Sequence, residues 1–125
     1  APATRGLPLL TPEQLKEQAS AAASRNHQLA VHAIGDAAND MVLTAYEQLG
    51  SARGDKRWRV EHAQIVDVAD LNRFAKAKAV ASMQPVHQTS DRLMAEARLG
   101  PQRLGGAYAW QTLDKSGARL ALGSD

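Results

Sequence analysis

The chain has 125 residues, 44% of them hydrophobic and 22% charged, with no cysteine and a formal charge of +2 from fifteen basic and thirteen acidic side chains. This is one domain's worth of chain, long enough to bury roughly two thirds of its unfolded surface. Disulfides, thiolate zinc sites and cysteine nucleophiles are excluded, and the basic residues are scattered without an aromatic-spaced stripe, so nucleic acid is not an expected partner. No apolar stretch approaches the roughly 20 residues that span a bilayer, and the first ten residues lack a signal-peptide core, so a soluble chain is expected and a membrane is not. The compartment stays open. The first residue is Ala1, which favours a segment of a longer protein over a processed leader.

Thr11-Pro12-Glu13-Gln14 reads as a helix start, with Thr11 as cap, Pro12 in the first turn and Gln14 closing a capping box; the helix should run to about Arg25. Residues 28–32 are a short apolar run ending in His32. Gly35 allows a turn, Asp36 is a candidate cap, and a second helix should reach about Leu49 with Gly50 as its stop. The run 58–62 ends in His62. Beyond it, Asp67 should cap a helix carrying Val68, Leu71, Phe74 and Ala75 on one face. Val80-Ala81-Ser82-Met83 reads as a strand ending near Gln84-Pro85, Asp91 as the cap of a short helix ended by Gly100-Pro101, and 107–115 as a last helix stopped by Gly117 before the run 119–122. Strand and helix alternate, so consecutive strands should lie parallel and the chain should be of the α/β class.

Three apolar runs end in residues that bind metals or move protons: His32, His62 and Asp125. In parallel sheets the C-terminal strand ends build the active sites, and two strand-end imidazoles on one rim suit zinc or a related divalent ion. Either histidine alone reads equally as a satisfied structural residue; their convergence with Asp125 carries the site reading. His27 precedes its strand and reads as polar surface. Glu61 alternates to the face opposite its neighbour His62, where an ion pair and support of the site are equally good readings. Gln84 and His87 flank Pro85 and are candidates for binding substrate polar atoms, with a loop hydrogen bond an almost equal reading; Asp91 reads as a cap and Arg103 as surface or interdomain.

The segments His32-Ala33-Ile34-Gly35-Asp36, Val60-Glu61-His62-Ala63-Gln64, Met83-Gln84-Pro85-Val86-His87 and Leu122-Gly123-Ser124-Asp125 resemble the later strand motifs of the metal-dependent amidohydrolase superfamily. The nearest branch is amidohydrolase family 3, which includes N-substituted formamide deformylases. The resemblance implies a partial (β/α)8 TIM barrel running approximately from the fourth helix through the eighth strand, with residues 1–125 as a fragment of the catalytic domain. It makes His32 and His62 metal ligands and Asp125 the general base and acid. It implies a divalent cofactor, zinc above others, as one or two ions, and hydrolysis of C–N bonds of amide or formamide type in a small-molecule substrate. The family's His-X-His pair of the first strand and its fourth-strand ligand are absent from this sequence, so the fragment by itself is expected to be inactive. The competing readings are a non-catalytic α/β scaffold, whose open sheet edges would favour a homo-oligomer, and a small-ligand binding module.

Overall fold

The computed structural model describes residues 6–49 and 54–125. Four short strands, β1 (Ala30–Ala33), β2 (Arg59–His62), β3 (Val80–Met83) and β4 (Arg119–Leu122), form one sheet in sequence order, every pair parallel. Helices connect them: α1 (Pro12–Ser24) leads into β1, α2 (Asp36–Leu49) joins β1 to β2, α3 (Arg73–Lys76) joins β2 to β3, and α4 (Pro85–Ser90), α5 (Arg92–Leu99) and α6 (Trp110–Lys115) lie between β3 and β4. This is the mixed α/β architecture with a parallel sheet that strand–helix alternation predicts. Among the described residues no helix is long and apolar enough to cross a membrane.

The register sorts the side chains. Because neighbours in a parallel pair point the same way, Ala30, Arg59, Val80 and Arg119 form one row across the sheet, and His32, Glu61, Ser82 and Ala121 the next row on the same face. The opposite face carries Ala33, Val60, Ala81 and Met83, which pack with Leu15 and Ala19 of α1, Val42, Leu43 and Tyr46 of α2, Phe74 of α3 and Leu113 of α6 in one apolar core. Helices therefore cover one face only. Parallel sheets are ordinarily buried on both, and here Ala30, His32 and Arg119 on the second face are exposed.

The first helix starts as its sequence dictates: the Thr11 hydroxyl accepts from Gln14 N and the Gln14 side chain takes the Thr11 N–H. Three helices end alike, each with a left-handed residue and a six-to-one hydrogen bond: Asn26 (φ 57°), Lys78 (φ 53°) and Gly117 (φ 85°), followed by His27 N→Ala22 O, Ala79 N→Phe74 O and Ala118 N→Leu113 O. Only one of the three is glycine. A side chain in this region costs about 1–2 kcal/mol, of which glycine's greater freedom in the unfolded chain cancels part. Lys78→Gly should therefore stabilise the protein by roughly 0.5–1 kcal/mol, read as a higher denaturant midpoint; a lower midpoint would contradict this account of the helix end.

Several elements depart from the sequence expectation. In place of one helix after Asp67 there is a 3₁₀ turn, Val68–Asp70, capped by Asp67 Oδ1 accepting from Ala69 N at 2.9 Å, and then the four-residue α3. Leu71 and Phe74 are buried, but Val68 is 58% exposed, so the four named residues do not share a face. β3 ends beside Gln84-Pro85 as expected, but Pro85 then begins a helix that the sequence reading lacked, using its fixed φ in the first turn. The last helix covers only Trp110–Lys115, because Pro101–Gly106 is a 3₁₀ segment and residues 106–108 run antiparallel to 64–66, joined by Val66 N→Gly106 O (2.9 Å) and Tyr108 N→Gln64 O (2.7 Å). Asp36 is the first residue of α2, not its cap; one carboxylate oxygen accepts from Ala37 N (2.9 Å) and the other from Arg103 Nη2 (2.6 Å), so Arg103 is tied across the strand-end rim. The proposed stop at Gly50 lies outside the described residues.

Candidate metal and hydrolytic site

The two histidines meet at the C-terminal rim of the sheet. His32 Nδ1 and His62 Nε2 are 2.9 Å apart, with ring centroids at 5.0 Å. Strand alternation by itself would send His62 to the helix-covered face with Val60. Positive φ at His62 (76°) and Ala63 (47°) turns the chain at this point, so that its ring meets that of His32. Non-glycine residues held in this region cost of order 1–3 kcal/mol each and persist where the surroundings enforce them, commonly at functional sites.

Asn39 is part of that enforcement. Fully buried in α2, its Nδ2 donates to Ala33 O (3.1 Å) and Gly35 O (2.9 Å) after β1 and to Ile65 O (3.2 Å) after β2, while Ile65 N donates to Ile34 O (2.8 Å). The segments that follow the two histidines are thereby fastened to each other. Among the described residues Asn39 Oδ1 is buried without a hydrogen-bond partner, so this side chain serves as a donor.

Gln84, the residue before α4, fixes the chemistry of His62. Its Nε2 points at Ser82 O (3.4 Å), which leaves Oε1, a pure acceptor, against His62 Nδ1 at 3.0 Å. The His62 proton therefore sits on Nδ1 and the Nε2 lone pair faces His32. That is the tautomer a metal ligand needs, set by the hydrogen bond on the other ring nitrogen. Of the two readings of Gln84, substrate contact or a loop hydrogen bond, the geometry shows its carbonyl oxygen bonded to His62. Gln84→Leu should weaken metal binding about 10–100-fold, as loss of an orienting partner does, measured by zinc titration; unchanged affinity would remove this role.

His87 lies in α4 with its ring 6.4 Å from that of His62 and nearly parallel to it. Gln84 and His87 join His62, Gln64, Met83, Tyr108 and Trp110 around a pocket of about 210 Å³ including its open mouth. Asp91 makes no capping bond to α5; its carboxylate accepts from Gln64 Nε2 and Tyr108 Oη, both at 3.2 Å, and from Ser90 Oγ at 2.9 Å. Burial raises the Tyr108 phenol above its ordinary value, the Gln64 bond pulls it down, and Asp91 adds to the rise. Gln64, Tyr108 and Trp110 escaped the sequence reading as site residues; the usable signal was a polar residue two positions beyond a strand-end histidine, on the rim where such sites form.

Glu61 sits beside His32 in the register and takes the Arg59 Nε at 2.6 Å, an ion pair as anticipated. Burial pushes its carboxyl up, but hydrogen bonds from Ser82 and Arg59 outweigh that and hold it below 4.5. His27 is exposed, and its carbonyl accepts from Trp58 Nε1 at 3.1 Å. Asp125 is exposed, three residues past the end of β4, and makes no hydrogen bond or ion pair among the described residues; Gly123 N→Met83 O (3.0 Å) extends the β3–β4 ladder toward it.

Could these residues hold a divalent ion? Two nitrogens bound tetrahedrally at about 2.0–2.1 Å lie about 3.3 Å apart, so the 2.9 Å pair needs to open by only a few tenths of an ångström. Two imidazoles fit as part of a ligand set. Among the described residues no group of three or more His, Asp or Glu side chains converges to complete it.

The chain is 42% identical over 127 residues to "Protein LONG AFTER FAR-RED 3" of Arabidopsis thaliana and 36% identical over 124 residues to "Putative amidohydrolase YtcJ" of Bacillus subtilis (strain 168). These matches cover 99% of this chain but 22% and 23% of the relatives. The chain thus spans about a quarter of their length. Crystal structures of uncharacterized metal-dependent hydrolases from Pyrococcus furiosus and Pyrococcus horikoshii OT3 superpose with TM-scores of 0.85 at 31% and 32% identity, over 99% of this chain and 25% and 24% of theirs. Aspergillus niger ochratoxinase shares the fold, with a TM-score of 0.61 at 18% identity over 93% of this chain and 26% of its own. The sequence profile of the amidohydrolase family matches residues 1–125, and with the parallel sheet and paired rim histidines already described, the chain belongs to the amidohydrolase family.

Proposed function

We propose that these 125 residues are the part of a (β/α)8 catalytic barrel running from about the fourth helix through the eighth strand, β1 to β4 being strands five to eight, and that the complete protein hydrolyses amide or formamide C–N bonds. The uncovered sheet face and the two sheet edges are then completed by the rest of the barrel. The observation that carries the reading is the His32–His62 pair, held 2.9 Å apart at the strand-end rim with the His62 Nε2 lone pair directed inward.

In this reading His32 and His62 hold a divalent ion, zinc by preference for imidazole, with further ligands from outside these residues. Such an ion supplies a water whose pKa falls toward about 7 and polarises a carbonyl. Asp125 takes the proton of the attacking water and returns it to the departing amine. Gln84 keeps His62 in its ligand tautomer, and His87 faces the pocket in reach of a small-molecule substrate. The 125 residues by themselves should bind metal weakly and turn nothing over, since two imidazoles and one carboxylate do not fill the coordination set.

The test is hydrolysis of a panel of simple amides and N-substituted formamides by the full-length protein, before and after exhaustive chelation and with zinc restored. Turnover that is lost on chelation and recovered with metal is expected. Turnover indifferent to chelation, or none with zinc bound, would overturn the reading.

A further inference from the structure

The Gln64–Asp91–Tyr108 cluster lies beside the candidate metal site and takes no part in the chemistry described so far. Gln64 Nε2 has both its hydrogens engaged, one by Asp91 Oδ2 at 3.2 Å and one by Tyr108 Oη at 3.0 Å. Tyr108 Oη in turn donates to Asp91 Oδ2, and Tyr108 N donates to Gln64 O at 2.7 Å. The amide of Gln64 is therefore orientation-locked, because a flip would set its oxygen against a carboxylate. What remains is Oε1, which has no partner among the described residues and is not sealed from solvent.

The surroundings limit what that oxygen meets. Met83, Tyr108 and Trp110 contribute apolar wall to the open pocket beside that oxygen. The Asp91 carboxylate is bonded to the Gln64 amide nitrogen and to the Tyr108 hydroxyl, so the polar group that the cluster leaves open is the amide oxygen. A ligand presenting an N–H finds one fixed acceptor.

We propose that Gln64, locked by Asp91 and Tyr108, is a specificity-determining residue whose Oε1 accepts the N–H of a secondary amide with an apolar substituent. This rests on the hydrolase reading for its role in turnover, but its binding test does not. The left-handed backbone at Tyr108 (φ 51°) holds the phenol in the cluster, so the acceptor is in place before the ligand arrives.

Dissociation constants of N-benzylacetamide and N-benzyl-N-methylacetamide would be measured by calorimetry on the full-length protein. The first should bind roughly 3- to 10-fold tighter than the second, the worth of one neutral hydrogen bond. In Gln64→Leu the preference over the N-methyl compound should fall to about one. In Asp91→Asn, which lets the Gln64 amide turn over, it should fall as well while the melting temperature stays near that of the wild type. A preference that persists in Gln64→Leu is steric and overturns the proposal, as does equal binding of the two compounds by the wild type. Hydrolysis of N-benzylacetamide is read separately: preference without turnover would sink the hydrolase reading and leave the Gln64 assignment standing, and turnover without preference would do the reverse.

Discussion

His62→Ala in the full-length protein should lose metal and amide hydrolysis together, whereas Asp125→Asn should keep the metal and lose turnover by about 10²-fold or more, the usual worth of a positioned proton-transfer group. The difference follows from where the two residues stand. His62 is built in: a left-handed turn, the Gln84 carbonyl oxygen on Nδ1, and His32 opposite Nε2 fix its ring. Its removal takes away one of two imidazole nitrogens and leaves Gln84 without its donor. Asp125 stands free on the rim past β4, with no bond to either histidine, so its amide counterpart changes proton transfer and not the metal. Metal content by atomic absorption, measured with kcat on the same samples, separates the roles. Equal metal loss in both variants would undo the division of labour.

Gly106→Ala should be among the most damaging single changes. A Cβ on Gly106 would lie 1.7 Å from the Val66 carbonyl oxygen and 2.8 Å from its carbon. The obstacle is backbone, which cannot swing aside as a side-chain tip can. Relief means parting 106–108 from 64–66, which breaks Val66 N→Gly106 O and Tyr108 N→Gln64 O and carries Tyr108 away from Gln64 and Asp91. A loss of about 3 kcal/mol or more is expected, at the upper end of overpacking effects because the contact is with main chain. Denaturant unfolding would read it. A loss under about 1 kcal/mol would show that the two segments separate easily, and with that the fixed pocket wall would go.

The strand ends were legible because the relevant signals are local: an apolar run closed by a histidine, or by a glycine or proline turn. The capping box at Thr11 and the stop at Gly117 are likewise written within a few residues. Asp91 shows where local reading fails. It sits one residue before a helix, as a cap does, yet its carboxylate is taken by Gln64 and Tyr108, 27 and 17 residues away. The short α6 has the same origin, since residues 106–108 pair with 64–66 instead of continuing a helix. Nothing in the local sequence marks Gly106 as obligatory; only the approach of Val66 does. The Gln84 role was half visible: its place beside the site could be read, but the partner that claims its oxygen depends on the register that sets β2 against β3.

The most direct measurement is an anomalous-scattering map from crystals of the full-length protein grown with zinc. A peak bonded at about 2.0–2.1 Å to a ring nitrogen of both His32 and His62, with the Asp125 carboxylate close enough to share its water, is the predicted result. A fully occupied zinc that leaves His32 hydrogen-bonded to His62, as the two rings now stand 2.9 Å apart, would contradict it.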